Sequence, residues 1–463
     1  MVETAIVPLR WRSVAHYFGV VLTLIGPVSA LPAVLGVWDG TALPYVVGGV
    51  ATTAAGYFLR RCDSGEMGFR EAMAVAALTF LYPALLLGSE IWALGYPPID
   101  SFFEGVSAIT TTGLTTFPPD KLPLSIHFAR SLYQWVGGIG FAVFVILFLT
   151  RPGTAAHRLL SVHVSDKVSP TARRSVMLLT GIYAGITSVS WLLYFLSGES
   201  AYSALIHALT TASTGGFSTY PLLPPGIVPA AIAMMIVSAQ SYATYYKALA
   251  RRSASVLVRD YQLISFLAVT AAATAFIMAS GWGVSIGDAL LVASSAASTT
   301  GYSSVDISSS PDSVKLLLSA VMLAGASLGS TGGGFKQLRL IIVLKGLKRS
   351  VLRYLLPKHA VRPVRLGGQV VDEDDIGMAM TLVLVYVIIV FLSTLAFTLH
   401  GYGLPDSLFE TSSALATTGL SAGLAAPGLP GTLKVVLMID MLLGRLEVFP
   451  YLALMHPRNY LRR

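Results

Sequence analysis

Four short stretches of the chain carry the same small set of groups at the same spacing. Aligned on one glycine each, Gly113, Gly216, Gly301 and Gly419, they place Thr111, Thr214, Thr299 and Thr417 two residues before it. One residue before stand Thr112, Gly215, Thr300 and Thr418, and one after stand Leu114, Phe217, Tyr302 and Leu420. Two after come Thr115, Ser218, Ser303 and Ser421, and six before come Ser107, Thr210, Ser295 and Ser413. The pattern offers hydroxyl and carbonyl oxygens beside a residue free to turn, since glycine reaches backbone angles closed to other residues. Four such loops around one axis make a ring of oxygens able to replace the hydration shell of a cation. Glycine, serine and threonine also serve plain helix packing in membranes, and a single copy would not decide between the two. Four copies in register, each between two apolar segments, favour the ring.

The elements that must position these loops can be read outward from them. Thirteen residues before each glycine stand Asp100, Ser203, Asp288 and Asp406, good N-cap types that predict the start of a short helix. The short segments 100–113, 203–216, 288–301 and 406–419 cannot cross a bilayer as helices. Each helix ends near the Thr-x-Gly, where its C-terminal dipole favours a cation, and the chain then returns. Irregular backbone at membrane depth is tolerated only where it is buried in protein or lines a watery path. Nine residues before the glycines, Glu104 and Glu410 match, but His207 and Val292 break the column. There is no fourfold acidic ring.

The rest of the chain is membrane-like. It is 54% hydrophobic and only 12% charged, with mean hydropathy +0.71, against about 25% charged for soluble domains. Apolar segments near 16–37, 41–59, 69–94, 126–150, 175–197, 225–250, 262–282, 313–345, 376–400 and 432–456 give ten expected spans. Of the 31 lysines and arginines, 26 fall in connections on one side of these spans. That side is expected to be cytoplasmic, with both termini inside. The same asymmetry accounts for most of the net charge of +8, so no nucleic-acid partner is expected. Cys62 stands alone and allows no internal disulfide. The eight histidines show no zinc-type spacing, and no transition metal is expected. The first apolar run lacks a cleavage-type end, so no removable signal peptide is expected. The spans lack the converging His, carboxylate or Cys groups that a membrane enzyme would need.

The expected fold is an all-α polytopic membrane protein. Four pseudo-repeats of span, pore helix and span surround one central pore, and two extra spans precede them. The expected limits are 1–66 for the N-terminal two-span extension, then 67–151, 152–255, 256–365 and 366–463 for the repeats. The second span of the third repeat is expected to be broken, because Gly325–Lys336 interrupts an apolar run with five glycines in twelve residues. This stretch is not a phosphate loop: Phe335 stands between Gly334 and Lys336, and no Ser or Thr follows the lysine.

With these residues in hand, the chain resembles the Trk/Ktr/HKT potassium transporter superfamily, most closely its TrkH branch. The resemblance runs through 68–86, FFEGVSAITTTGLTTF (102–117), RSLYQWVGGIGFAVF (130–144), STGGFST (213–219), GSTGGGFKQLRL (329–340) and MLLGRLEVFP (441–450). It implies a potassium-selective, channel-like uptake protein of the cell membrane, with Thr111–Gly113, Thr214–Gly216, Thr299–Gly301 and Thr417–Gly419 as the filter that binds potassium. It also implies a homodimer with one pore per subunit, and a separate cytoplasmic nucleotide-binding regulator of the TrkA type. The chain itself would need no cofactor, and potassium would be the transported ion. The broken segment would be an intramembrane loop closing the pore, with Gly325, Ser327, Gly329, Ser330, Thr331, Gly332, Gly333 and Gly334 letting it move. A plain glycine kink is the alternative. Lys336 is a weaker gate candidate. Two roles are open to Arg445: a positive barrier beneath the filter that interacts with the loop, or a packing pair with Glu447 or Asp440.

In the wider family a serine in the first loop goes with sodium transport, so Gly113 implies potassium. The loops are not four copies of TVGYG, which leaves looser selectivity open, with rubidium or sodium also passing. A sodium- or proton-coupled cation symporter is the alternative to an uncoupled pore. An alternating-access carrier of an organic solute would call for paired or inverted broken spans, not four same-sided loops. The 336–365 connection is the largest on the basic side and is the expected docking place for the regulator, through Lys348, Arg349 and Arg353.

Overall fold

The chain begins with a helical hairpin whose two arms touch backbone to backbone. The computed structural model describes residues 9–62, 65, 67–144, 172–355, 363–366 and 369–455. Helices α1 (Trp11–Ser29) and α3 (Ala42–Leu59) flank the short α2 (Ala33–Asp39). A side-chain carbon added at Gly26 would meet Gly49 O at 2.7 Å, and one added at Gly49 would meet Gly26 O at 2.7 Å. Small residues replace side-chain packing here, as they do at close helix contacts in membranes.

Four units of similar layout follow. The first holds α4 (Phe69–Ala93), α5 (Pro98–Ile109) and α6 (Leu124–Phe144). The second holds α7 (Ala172–Leu196), α8 (Ala201–Ala212), α9 (Val228–Ser238) and α10 (Tyr242–Ala250). After the single turn α11 (Ser255–Val258), the third holds α12 (Tyr261–Ala279), α13 (Ile286–Ser298), α14 (Asp312–Ala324) and α15 (Gln337–Arg353). A small hairpin, β1 (Arg365–Leu366) with β2 (Gln369–Val370), leads to the fourth: α16 (Glu373–Leu399), α17 (Leu404–Leu415), α18 (Gly431–Arg445) and α19 (Phe449–Met455). Six helices among the described residues are long and apolar enough to cross a membrane unbroken, or seven if the bent α9–α10 pair counts as one. The chain is a multi-pass membrane protein.

The sequence predicts one broken second span, and the structure has three. Besides the break at 325–336, α9 and α10 meet at 84°, and α18 stops at Arg445 before α19 begins at Phe449. The expected continuous spans 225–250 and 432–456 are therefore corrected. The α9–α10 corner has no glycine, and its stripped backbone groups are satisfied by the 325–336 segment. Ser327 N donates to Ala239 O (3.1 Å), Tyr242 N donates to Gly329 O (3.0 Å), and Ser327 Oγ donates to Gln240 Oε1 (3.2 Å). The α18–α19 break carries Glu447 and Val448 at positive φ (56° and 67°), with Pro450 unable to continue a helical ladder.

The predicted helix caps are also corrected. Asp100, Ser203, Asp288 and Asp406 are each the third residue of their helix, not the cap. The capping residues are Pro97, Ser200, Ser285 and Gly403. Ser200 Oγ accepts from Ser203 N (3.1 Å). Ser285 Oγ accepts from Asp288 N (3.2 Å), as an N-cap does, and donates to Asp288 Oδ2 (2.7 Å). Asp100 and Asp406 instead pair across units, with Lys434 (2.5 Å) and Lys315 (2.7 Å). Together with Tyr202 Oη donating to Leu124 O (2.6 Å) and Leu223 N donating to Ser303 O (2.9 Å), these contacts clasp all four unit junctions. Lys434 and Asp100 are both buried. Removing one partner of such a pair costs about 3 kcal/mol. Asp100→Asn should therefore lower the apparent Tm in detergent, while Asp120→Asn at an exposed site should leave it in place.

The predicted basic connection 151–174 lies outside the described residues up to 171, as do 356–362 of the 336–365 connection and both termini, 1–8 and 456–463.

Candidate functional site

The four Thr-x-Gly stretches share one backbone conformation. Thr111, Thr214, Thr299 and Thr417 all sit at positive φ (54°, 53°, 55° and 48°), and so do Gly113, Gly216, Gly301 and Gly419 (88°, 77°, 94° and 92°). A left-handed threonine is strained, and a bond back into the helix pins each one. The N–H groups of Thr112, Gly215, Thr300 and Thr418 donate to the carbonyls of Ser107, Thr210, Ser295 and Ser413 at 2.9, 2.7, 3.0 and 2.8 Å. The hydroxyls of Ser107, Ser295 and Ser413 then accept from Gly113, Gly301 and Gly419 N, each at 3.0 Å. In the second unit Thr210 bonds Tyr302 Oη instead (2.5 Å), so the residue after the third glycine braces the second loop.

The loops close into a ring in chain order. A side-chain carbon added at Gly113 would lie 2.1 Å from Gly215 O, and one at Gly216 would lie 1.9 Å from Thr300 O. One at Gly301 would lie 2.3 Å from Thr418 O, and one at Gly419 would lie 2.1 Å from Thr112 O. Each glycine thus packs on the carbonyl preceding the next glycine, and the fourth returns to the first. All four glycines line a single cavity of about 210 Å³, walled also by Arg130, Tyr220 and Asp306. At the other end of the loops, the buried Thr111 and Thr417 hydroxyls have no hydrogen-bond partner. Buried oxygens without donors suit a cation.

The legs leading away from the ring are latched. Glu104 accepts from Thr115 Oγ1 (2.6 Å) and Thr116 N (2.9 Å), and Glu410 accepts from Ser421 Oγ (2.8 Å) and Ala422 N (2.9 Å). These two acids are braces, not a lining ring. Arg130, fully buried, pairs with Glu104 at 2.7 Å and lies over the Phe217 ring at 4.4 Å.

The 325–336 segment lies directly under the ring. Gly333 N donates to Thr299 Oγ1 (2.6 Å), Gly334 N to Ala416 O (3.1 Å), and Thr331 Oγ1 to Ala212 O (3.1 Å). It therefore touches the inner ends of α13, α17 and α8. Its far side is held by Leu328 N donating to Gln262 Oε1 (2.6 Å). Gly325, Gly329 and Gly334 are at positive φ, while Ser330 Oγ folds back to Ser327 O (2.7 Å).

Arg445 bolts this segment to the first unit. It is 1% exposed, and its guanidinium donates to Thr331 O (2.8 Å) and to Gly137 O (3.0 Å) and faces the Phe141 ring at 4.5 Å. Neither carboxylate named as a partner takes it. Glu447 pairs with Arg339 at 2.6 Å, and Asp440 accepts from Ser393 at 2.9 Å. Lys336 donates to Gly332 O within the segment and sits 5.1 Å from the Phe141 ring centroid. Lys336, Arg339 and Arg445 therefore share this region with one carboxylate, Glu447. Among the described residues no group of three or more His, Cys, Asp or Glu could hold a metal ion.

Several of these contacts were not legible from spacing: Gln134 Nε2 on Gly215 O (2.6 Å), Gln262 on the loop, and the Tyr302 brace. All join residues far apart in the chain, and only their polarity inside apolar spans could have marked them.

Comparison with known proteins gives a consistent picture. Residues 84–460 match the family model described as TrkH, cation transport protein. An uncharacterized cation transporter of Methanocaldococcus jannaschii is 29% identical over 96% of this chain and 95% of its own length. The Trk system potassium uptake proteins TrkH of Halomonas elongata and Escherichia coli K12 are 29% and 26% identical, covering 94% and 97% of this chain and 95% and 99% of theirs. The crystal structure of the potassium transporter TrkH from Vibrio parahaemolyticus superposes with a TM-score of 0.87 at 22% identity, over 98% of this chain and all of that one, and it shows that the fold is shared.

Proposed function

The chain belongs to the TrkH family of cation transport proteins, a transporter and not an enzyme, and from that premise we propose that it takes up potassium through a pore filtered by its four glycine loops. The observation that carries this reading is the closed ring, in which each glycine seats on the next loop's carbonyl and all four open onto one cavity. Such a ring presents backbone oxygen from four sides, which is the requirement for stripping water from a monovalent cation. Thr111–Gly113, Thr214–Gly216, Thr299–Gly301 and Thr417–Gly419 are the potassium-binding filter in this reading. The 325–336 segment is the gate, locked by Arg445 and lined with positive charge that opposes cation passage. The chain sits in the cell membrane with both termini cytoplasmic, and it works as a homodimer.

A cytoplasmic regulator of the TrkA type opens the gate and docks at the basic face. Arg349 there is tied to Glu373 at 2.5 Å, while Lys348 and Arg353 extend the same positive surface. Charge reversal at Lys348, Arg349 and Arg353 should release the regulator, and undiminished binding would remove this assignment.

The test is cation uptake into liposomes holding the purified chain, wild type beside Gly113→Ser. Potassium or rubidium flux should exceed sodium flux in the wild type; in the serine variant, whose added carbon would lie 2.1 Å from Gly215 O, total flux should fall and the flux that remains should lose about tenfold of that preference, the loss of roughly one well-made oxygen contact. Wild-type flux that does not distinguish the ions removes the filter reading. If the wild type is silent, a deletion of 326–334 should conduct, and silence there as well removes the pore.

A further inference from the structure

The four legs leaving the ring are built on one hydroxyl each, and the hydroxyl is used in the same way every time. Thr115, Ser218, Ser303 and Ser421 accept from the N–H two residues on, at Phe117 (3.1 Å), Tyr220 (2.9 Å), Val305 (3.2 Å) and Gly423 (2.9 Å). That oxygen closes the turn that follows the filter. Its own proton must then find an acceptor, and here the four units part. Thr115 donates to the Glu104 carboxylate (2.6 Å) and Ser421 to the Glu410 carboxylate (2.8 Å). Ser303 donates to the Val305 carbonyl (2.6 Å). Ser218 alone faces an imidazole, His207 Nε2, at 2.9 Å.

His207 is fully buried and occupies the place of Glu104 and Glu410. Its Nδ1 lies 2.9 Å from Glu199 Oε2, and the other Glu199 oxygen accepts from Ser203 Oγ (3.2 Å). A carboxylate can only accept, so Nδ1 carries the proton. In the neutral ring that leaves Nε2 as the acceptor the Ser218 hydroxyl needs. We propose that His207, held from behind by Glu199, is a positioning residue for the second filter loop: its neutral imidazole serves Ser218 as a stand-in for a carboxylate.

A carboxylate or a carbonyl offers lone pairs and no proton. The imidazole offers its one lone pair at Nε2 only while Nδ1 holds the proton, and the Glu199 carboxylate accepts from it there. Among the described residues Ser218 Oγ bonds His207 Nε2 and Tyr220 N, and the rings of Tyr194, Tyr220 and Tyr302 pack round the imidazole at 5.5, 5.7 and 5.9 Å.

This inference rests on the filter reading, and the same liposome assay tests both. Rubidium and sodium uptake would be measured for the wild type, His207→Glu, His207→Val and Glu199→Gln, with the apparent Tm of each recorded in detergent. His207→Glu supplies the carboxylate of units one and four and should keep the preference for rubidium. His207→Val removes the acceptor and should lose about tenfold of the preference. Glu199→Gln should lose less than His207→Val, because an amide oxygen can still accept from Nδ1–H. A folded His207→Glu that loses the preference overturns the proposal even if His207→Val fails to fold, and so does a folded His207→Val that discriminates like the wild type. A wild type that passes sodium as readily as rubidium removes the filter reading itself.

Discussion

Gly216→Ala should reduce rubidium uptake by about a hundredfold while the protein still folds and inserts. The added carbon would lie 1.9 Å from Thr300 O and 2.9 Å from its carbonyl carbon, distances that no rotamer relieves because the neighbour is backbone. At φ 77° the alanine also pays about 1 kcal/mol of left-handed strain. The strain alone is not enough to stop flux, and a control separates the two costs. Gly281 has φ 78° and nothing within 4 Å of a built carbon. Gly281→Ala therefore carries the same strain with no collision, and its uptake should match the wild type. In Gly216→Ala the third loop has to move, and because Gly301 seats on Thr418 O the displacement passes on to the fourth. Wild-type uptake by Gly216→Ala would mean that the ring is not the path.

Arg445→Ala should have the opposite effect and raise uptake in the absence of any regulator. The guanidinium makes two charged-donor hydrogen bonds, one to the 325–336 segment at Thr331 O and one to α6 at Gly137 O. Their loss weakens the closed arrangement by about 3 kcal/mol, roughly a hundredfold in the ratio of open to closed. It also removes a buried positive charge that, among the described residues, pairs with no carboxylate, so any cation below the ring meets less repulsion. Arg445→Lys separates bolt from barrier. A compact ammonium restores the charge but not a rigid fork spanning two carbonyls, so its uptake should lie between those of wild type and Arg445→Ala. Flux in Arg445→Ala at or below the wild-type level, with an unchanged apparent Tm, would exclude both roles.

The loops were legible because their signal is local: a left-handed threonine, a glycine and a hydroxyl at fixed offsets survive in four copies however the rest of the unit drifts. The caps were misplaced by three residues because an acidic residue is favourable both at the cap and in the first turn of a helix. Composition alone does not distinguish Asp406 as cap from Asp406 as the partner of Lys315. The break at 325–336 announced itself through glycine. The breaks at 239–241 and 446–448 did not, because a distant segment supplies the bonds that make the first affordable and because Val448, a poor residue for positive φ, gives no hint of it. Arg445 stood out as a charge inside a span, but its neighbours in sequence, Asp440 and Glu447, suggested a pairing that the fold does not use. Glu447 goes to Arg339, more than a hundred positions away.

The 325–336 segment, which we propose as the gate, comes from one unit only. A channel assembled from four identical subunits would have four such segments, and its opening would be a vote among them. Here a single strip of chain, from Gly325 to Lys336, reaches the inner ends of three short helices and is fastened to the fourth unit's neighbour by one side chain. If this segment is the gate we propose, occlusion is a unitary event with a stoichiometry of one, and records from single pores should show two conductance levels without sublevels.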